Sequence, residues 1–343
     1  MRNYSIDSIK FFGAFAVVVI HTQPFRELDG DICQMLYLVI RTLCSFAVPS
    51  FFTSMGYLFY KKISILENKS TYVVSYLKKI CKYLIITAVI YIIYNLLKLL
   101  LSSNPLLYIK DFINDITKIS NIYYGIDSGG MFHLWYLLIP LYILPIIYLF
   151  RNRINLITSI FLILNIIGVF LQIKGVGINV RDALFYGGFY ISLGCFVCKY
   201  ENEIKDKICN ISAIHLLCIL VAFNILQISE SILFGRLTYS FSTIFITFIL
   251  FAIILKNNHI LQDSIINKIG SESLGIYLIH PIIIDIAYLA IYRLNMNYIS
   301  NSIIWQILLT PIVFITSYGI YLIVNNSYSR IVNTLPKSIN LHK

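Results

Sequence analysis

Long apolar stretches recur along the whole chain and constrain its fold more than any other feature of the sequence. Of the 343 residues, 58% are hydrophobic and 13% are charged, and the mean hydropathy is +0.79. An ordinary soluble domain carries about 25% charged residues. The runs reach the roughly 20 residues that a helix needs to cross a bilayer, and they lack the turn-punctuated alternation of an outer-membrane barrel. The sequence therefore predicts an all-α, polytopic membrane protein.

About ten transmembrane helices are expected, within a single integral-membrane domain that covers residues 1–343. The expected spans are about 8–24, 34–60, 77–101, 131–150, 154–173, 183–200, 208–228, 235–255, 271–294 and 301–325. No soluble domain fits between them.

The distribution of positive charge predicts the orientation. With the N-terminus inside, most of the 27 Lys and Arg residues fall on inner loops, so the formal net charge of +11 belongs to the inner face. This asymmetry is typical of cytoplasmic loops and favours contact with the anionic lipid of the bilayer, so no nucleic-acid partner is needed to explain it. We predict a multi-pass protein of the cytoplasmic (inner) membrane, with both termini cytoplasmic.

The first span pairs a cation with a titratable base. Ten residues separate Lys10 from His21. At 1.5 Å and about 100° per residue, the two side chains share one helix face roughly 16 Å apart. Lys10 is then expected near the inner surface and His21 near the outer one.

Ionisable side chains inside spans cost several kcal/mol unless they are paired or wet, so each is a candidate for a site. One group is expected toward the outer surface: His21, Arg41, His133, Arg181 and Asp182. His280 and Asp285 lie deeper, both in the ninth span. The alternatives are a shared polar cavity and a set of unrelated interfacial residues.

A second cationic pair stands where the third span begins. Lys79 and Lys82 are one turn apart on one helix face, where they could hold a phosphate-bearing ligand or simply anchor the helix by snorkelling. The seven cysteines include one CxxC, Cys195 to Cys198, without a second ligand pair, so we predict no metal site.

These residues stand in several short motifs: Lys10 with His21, Ala47-Val48-Pro49-x-Phe51-Phe52, His133-Leu134-Trp135-Tyr136, Arg181 before Leu184-Phe185, and Leu274 through His280. In this order and combination, the chain resembles the bacterial integral-membrane acyltransferase family 3, whose members O-acylate cell-surface glycans. The resemblance covers the whole chain.

The resemblance implies a membrane O-acyltransferase that moves an acyl group, most simply acetyl, from cytoplasmic acetyl-CoA to a hydroxyl of an extracytoplasmic glycan. His21 would be the general base, and Arg181, Arg41 or His133 would stabilise the oxyanion. Lys79, Lys82 and Lys10 would hold the phosphates of acyl-CoA. Direct transfer and a covalent acyl-histidine relay both remain open, and polysaccharide-synthesis proteins are possible partners.

Three departures from the family pattern concern the donor more than the fold. Met55 stands where a serine is usual, Lys79 and Lys82 replace two arginines, and Ser45 replaces an arginine often found before Pro49. The chain also resembles the membrane part of vancomycin-resistance serine racemases. That likeness implies the rival function, a membrane transporter of a small polar substrate such as an amino acid.

Overall fold

The computed structural model of the protein describes residues 3–100, 105–118, 130–176, 183–235, 237 and 240–334. Helices dominate this part of the chain and no strand occurs in it. The prediction of an all-α, polytopic membrane protein is confirmed.

The described residues form fifteen α-helices, which are numbered in chain order. The first eight are α1 Tyr4–Thr22, α2 Asp31–Leu43, α3 Ala47–Ile65, α4 Lys69–Leu99, α5 Pro105–Thr117, α6 Trp135–Leu149, α7 Ile154–Ile173 and α8 Gly188–Lys199. The others are α9 Glu201–Ile208, α10 Ala213–Leu233, α11 Phe241–Lys256, α12 Ile265–Ser271, α13 Ser273–Arg293, α14 Asn297–Ser300 and α15 Ile303–Thr334. Short 3-10 turns cover Cys44–Phe46, Met131–Leu134 and Arg151–Arg153, and a π-helical turn covers Ala183–Gly187.

Eight helical segments of the described residues are long and apolar enough to cross a membrane. Two shorter apolar helices, Leu184–Lys199 and Phe241–Lys256, fall on the sixth and eighth predicted spans. Every predicted span thus contains an apolar helix. The number of crossings and the cytoplasmic position of both termini stay predictions.

The second predicted span contains Pro49, which indicates a bend, and the structure divides this span into two helices. Helix α2 ends at Leu43, a 3-10 turn follows, and α3 begins at Ala47. Pro49 explains the interruption, because its ring clashes with the carbonyl four residues earlier and it has no N–H to donate. The 3-10 turn therefore divides the apolar segment Asp31–Ile65 into α2 and α3.

Helix α1 is the most enclosed of the long apolar segments, with 67% of its span buried, whereas only 22% of the span of α4 is buried. It packs against α3, α12, α13 and α15. Because so many helices surround it, α1 determines where Lys10 and His21 lie relative to the rest of the protein.

The amino end of α1 is fixed by hydrogen bonds to the segment before and within α12. The Ser8 hydroxyl donates to the Ile260 carbonyl (2.8 Å), and the Asn267 amide donates to the Tyr4 carbonyl (2.9 Å) and to Ser8 Oγ (2.6 Å). Gly270 allows this contact, since a Cβ there would lie 1.8 Å from the Asp7 carbonyl oxygen. The amino end of α1 is therefore held in a fixed position against α12.

Helices α3 and α8 pack backbone to backbone. A Cβ at Gly56 would lie 1.9 Å from the Ile191 carbonyl oxygen, and one at Gly194 would lie 2.0 Å from that of Thr53. The buried Cys195 thiol donates to the Gly56 carbonyl at 3.3 Å. This close approach is the packing mode that small residues permit between membrane helices.

We expect Gly194→Ala to destabilise the protein, because the added methyl group meets a helix backbone that cannot rotate away. Overpacking of this kind costs about 1–3 kcal/mol or more. Gly319→Ala in α15 is the matched control: its Cβ would meet nothing within 4 Å, and alanine is the better helix former by about 1 kcal/mol. Thermal stability in detergent, followed by size-exclusion chromatography, checks both. Equal stability of the two variants would contradict the backbone contact.

Candidate functional site

The carboxyl end of α1 brings His21 to the site. The helix stops at Thr22, and Gln23 takes a left-handed conformation (φ 50°) that closes it ahead of Pro24. The Thr22 hydroxyl lies 2.6 Å from that of Thr310 in α15. Two neighbouring helices thus fix the last turn, because the Arg41 guanidinium of α2 also donates to the carbonyl of Ile20 at 3.1 Å.

His133 lies in the 3-10 turn that precedes α6 and is fully buried. Gly130 opens this turn with a φ of +76°, a conformation that other residues rarely adopt. The Gly130 carbonyl lies 3.0 Å from His133 Nδ1, and the Tyr277 hydroxyl donates to the His133 carbonyl at 2.5 Å. The ring is therefore oriented by its own turn, and α13 holds the backbone that carries it.

His280 is held inside α13, and its side chain is also fully buried. Its Nδ1 lies 3.2 Å from the Ile276 carbonyl, one turn earlier in the helix. Pro281 follows directly and has no N–H for the helical ladder. The imidazole thus occupies a part of α13 where the regular hydrogen-bond pattern is already interrupted.

The three histidines from three separate elements form one cluster. The ring centroids of His21 and His280 are 5.1 Å apart, and those of His133 and His280 are 5.7 Å apart. The ring centroid of Phe132 lies 4.9 Å from that of His21, and the ring centroid of Tyr91 in α4 lies 5.2 Å from that of His133. His21 is the partly exposed member, while the other two are buried. We call these three residues the histidine cluster.

The hydrogen bonds of the cluster determine its chemistry. A carbonyl oxygen only accepts hydrogen bonds, so the protons of neutral His133 and His280 reside on Nδ1 and leave a lone pair on each Nε2. Both Nε2 atoms are buried and have no hydrogen-bond partner among the described residues. Three imidazoles this close cannot all carry a positive charge in a buried place without a large Coulomb cost. The cluster is therefore suited to accept a proton.

The other predicted site residues have different surroundings. Asp285 accepts hydrogen bonds from Tyr94 (2.6 Å) and Lys98 (2.7 Å). These contacts join α13 to α4 and do not involve the histidines. Lys10 forms an ion pair with Asp7 at 3.7 Å, at the opposite end of α1 from His21. Arg181 and Asp182 lie outside the described residues.

The predicted phosphate-binding pair lies on the exposed part of α4. The Lys79 Nζ atom lies 5.9 Å from the centroid of the Tyr83 ring. Lys82 lines a shallow apolar groove of about 560 Å³ together with Lys78, and every residue that lines this groove belongs to α4. The pair therefore stands on one face of a single helix, and its role in donor binding stays a prediction.

Sequence reasoning missed the tyrosines that orient the cluster. Tyr91 carries no signal in the sequence, because one tyrosine among 26 in an apolar chain is indistinguishable from an interfacial residue. Tyr277 stands in a recognised motif, but its hydroxyl contact with His133 depends on residues 144 positions apart. The described residues contain no group of three or more His, Cys, Asp or Glu arranged to hold a metal ion.

Comparison with known proteins gives one match across nearly the whole chain. The sequence model of the family described as "Acyltransferase domain" matches residues 3–322. Over 139 residues the chain is also 32% identical to an amino-acid racemase of Enterococcus faecalis, a match that covers 39% of this chain and 18% of that relative. The chain thus spans well under two thirds of that relative's length. No solved structure matches the chain.

The hydrogen bonds predict the tautomer of the two buried histidines. In protein labelled with 15N-histidine, nitrogen NMR at pH 8 should show His133 and His280 protonated at Nδ1 and bare at Nε2. His133→Asn and His280→Asn serve as assignment controls, since each should remove one set of these signals. Signals of the opposite tautomer would contradict the arrangement described here.

Proposed function

Because the chain belongs to the acyltransferase family whose domain spans residues 3–322, and is accordingly a membrane acyltransferase, we propose that it moves an acetyl group from cytoplasmic acetyl-CoA to a glycan. The acceptor would be a hydroxyl of an extracytoplasmic glycan or cell-surface polysaccharide, and the membrane the cytoplasmic one. The histidine cluster carries this proposal, since it places proton-accepting side chains together at one end of α1. Proteins of polysaccharide synthesis are the expected partners.

In the proposed reaction, His21 acts as the general base, because it is the partly exposed member of the cluster. The acceptor hydroxyl gives its proton to the imidazole as its oxygen attacks the thioester carbonyl carbon. The tetrahedral oxyanion then collapses, the C–S bond breaks, and the CoA thiolate leaves and takes up the proton. Positioned general bases contribute about 10²–10⁴-fold to such steps.

Arg41 and Arg181 are the proposed oxyanion partners. His133 suits this role less well, since its Nδ1 proton is bound to the Gly130 carbonyl and its Nε2 then has none to donate. We assign His280, whose ring lies 5.1 Å from that of His21, and His133 beside it to positioning the His21 imidazole, while the proton goes to the departing CoA thiolate. A covalent acyl-histidine relay would use the same nitrogen of His21 as nucleophile.

The donor phosphates would be held on the cytoplasmic side by Lys79, Lys82 and Lys10. Along α4, about 18 Å separates Lys79 from Tyr91, the residue that contacts the His133 ring. Along α1, roughly 16 Å separates Lys10 from His21. Both helices therefore offer a cation about the same distance below the histidine cluster, which supports a donor that reaches from the inner surface.

A second candidate function is transport of a small polar substrate such as an amino acid. The partial likeness to an amino-acid racemase favours it, and the polar side chains would then form a substrate site inside the membrane. A transporter has no reason to bind acyl-CoA, so donor binding separates the two functions.

We expect His21→Ala to abolish acylation while expression and membrane insertion remain normal, because the variant loses only the base. The loss should be at least about 10²-fold. Mass spectrometry of surface glycans measures the acylation. It compares cells with the gene, cells without it, and cells without it that carry a variant. His215→Ala, an exposed histidine at the start of α10, is the control that should acylate normally. Near-normal product ester from His21→Ala would disprove the role of the base.

Lys79→Gln combined with Lys82→Gln should weaken binding of acetyl-CoA to the detergent-purified protein, and wild-type binding should decline with added salt, because exposed point charges are screened. His21→Ala should bind the donor almost as well as the wild type. Lys62→Gln with Lys207→Gln removes two other exposed cations and should leave affinity within about twofold. Calorimetry on the four proteins measures these affinities. Folded wild-type protein that binds no acetyl-CoA would overturn the proposed donor and leave another acyl donor or transport.

A further inference from the structure

The base of the proposed reaction stands in the last turn of its helix. His21 is the last residue but one of α1, which ends at Thr22. The final turn of a helix is prone to fraying, because its carbonyl groups have no partner further along the helix. The position of the His21 imidazole therefore depends on contacts that hold the chain directly after it.

The chain after His21 makes a tight turn that its own residues do not favour. The Arg26 N–H group donates to the Gln23 carbonyl at 3.2 Å. Pro24 and Phe25 are then the two central residues of a β-turn. A proline followed by a residue with positive φ is the pattern of a type II turn, in which the second of these positions normally takes glycine or asparagine. Phe25 has a φ of 68°, which is rare for a bulky residue, so the turn needs support from outside.

Gln306 of α15 gives this support. Its Oε1 accepts a hydrogen bond from the Phe25 N–H group at 2.9 Å, and its Nε2 donates to the Ser300 carbonyl at 2.7 Å. The side chain is buried, and the reversed amide would set one N–H group against another. The amide is therefore fixed in one orientation. It holds the central peptide group of the turn that follows His21.

Thr310 holds the residue next to His21. It stands four positions after Gln306, on the same face of α15, and it is buried. Its hydroxyl lies 2.6 Å from that of Thr22. The Thr22 hydroxyl has a single proton, which it donates to the Val18 carbonyl at 3.0 Å. Thr310 is therefore the donor to Thr22.

We propose that Gln306 and Thr310 are positioning residues of the acyltransferase, which hold the end of α1 so that the His21 imidazole meets the acceptor hydroxyl. The cluster takes its three rings from α1, α13 and the turn before α6, and the ring of His21 lies 5.1 Å from that of His280. Through these two side chains, α15 determines the position of the base without contributing a ring. This inference rests on the proposed function and deepens it, because it names residues outside the recognised motifs that act through His21.

The test measures the transfer of 14C-acetyl from acetyl-CoA to the glycan of permeabilised membranes that contain the protein, which gives kcat and the KM for the donor. Thr310→Val removes the hydroxyl and keeps the shape of the side chain, whereas Thr310→Ser keeps the hydroxyl. Thr247→Val is the matched control. Thr247 is also fully buried, but its hydroxyl donates to a carbonyl of its own helix, that of Thr243, at 2.8 Å.

A second pair of variants tests the turn. Gln306→Met removes both hydrogen bonds of the amide. Phe25→Gly, introduced into the same chain, should make the bond to the turn unnecessary, because glycine adopts a positive φ without support. Calorimetry with acetyl-CoA shows whether each purified variant is folded. If Gln306→Met fails to fold, the Thr310 variants decide alone.

We expect Thr310→Val and Gln306→Met to lower kcat about tenfold or more, since a small displacement of a catalytic group has a large effect on rate. The KM for acetyl-CoA should stay within about twofold, because the donor contacts are unchanged. Thr310→Ser should recover most of the rate, and Thr247→Val should match the wild type. Phe25→Gly with Gln306→Met should be faster than Gln306→Met alone.

Wild-type kcat in Thr310→Val would overturn the inference, and the proposed function would stand. A loss of kcat that neither Thr310→Ser nor Phe25→Gly recovers would mean that the two residues serve stability alone, which also overturns it. Wild-type membranes that transfer no acetyl group would overturn the proposed function, and the inference with it.

Discussion

The position of α1 is the constraint on which the rest of the structure depends. Hydrogen bonds hold this helix at both ends: Ser8 and Asn267 fix its amino end, and Thr310 and Arg41 fix its last turn. Between those ends its burial leaves little freedom to tilt or rotate. A rigid helix keeps a cation and an imidazole at a constant separation, which a reaction between compartments requires if one substrate enters from each side.

The histidine cluster shows how backbone carbonyls can determine side-chain chemistry inside a membrane. His133 and His280 are fully buried within the protein, and the Gly130 and Ile276 carbonyls each hold an Nδ1 proton. The opposite nitrogen of each ring is then left as an acceptor. Two residues that provide no side-chain chemistry themselves thus decide which face of each imidazole is basic.

The architecture could be predicted because hydrophobicity and length are local properties of the sequence. Pro49 indicates a bend in the second span, but the position of the 3-10 turn at Cys44–Phe46 could not be predicted, since a proline in a membrane helix is compatible with a kink as well as a break. The contacts of the candidate site were largely out of reach. Pairing of Asp285 with Lys98 joins residues 187 positions apart, and nothing in either segment specifies the partner.

The packing of α3 on α8 has a consequence for how this sequence can change over time. Most tight contacts between helices can be relieved by a compensating substitution, because the opposing side chain can be replaced by a smaller one. At Gly56 and Gly194 the opposing atoms are the carbonyls of Ile191 and Thr53, which every residue type carries. No substitution on the partner helix can make room for a larger residue. Gly56 and Gly194 therefore cannot change through compensating pairs of substitutions, and each position is constrained independently.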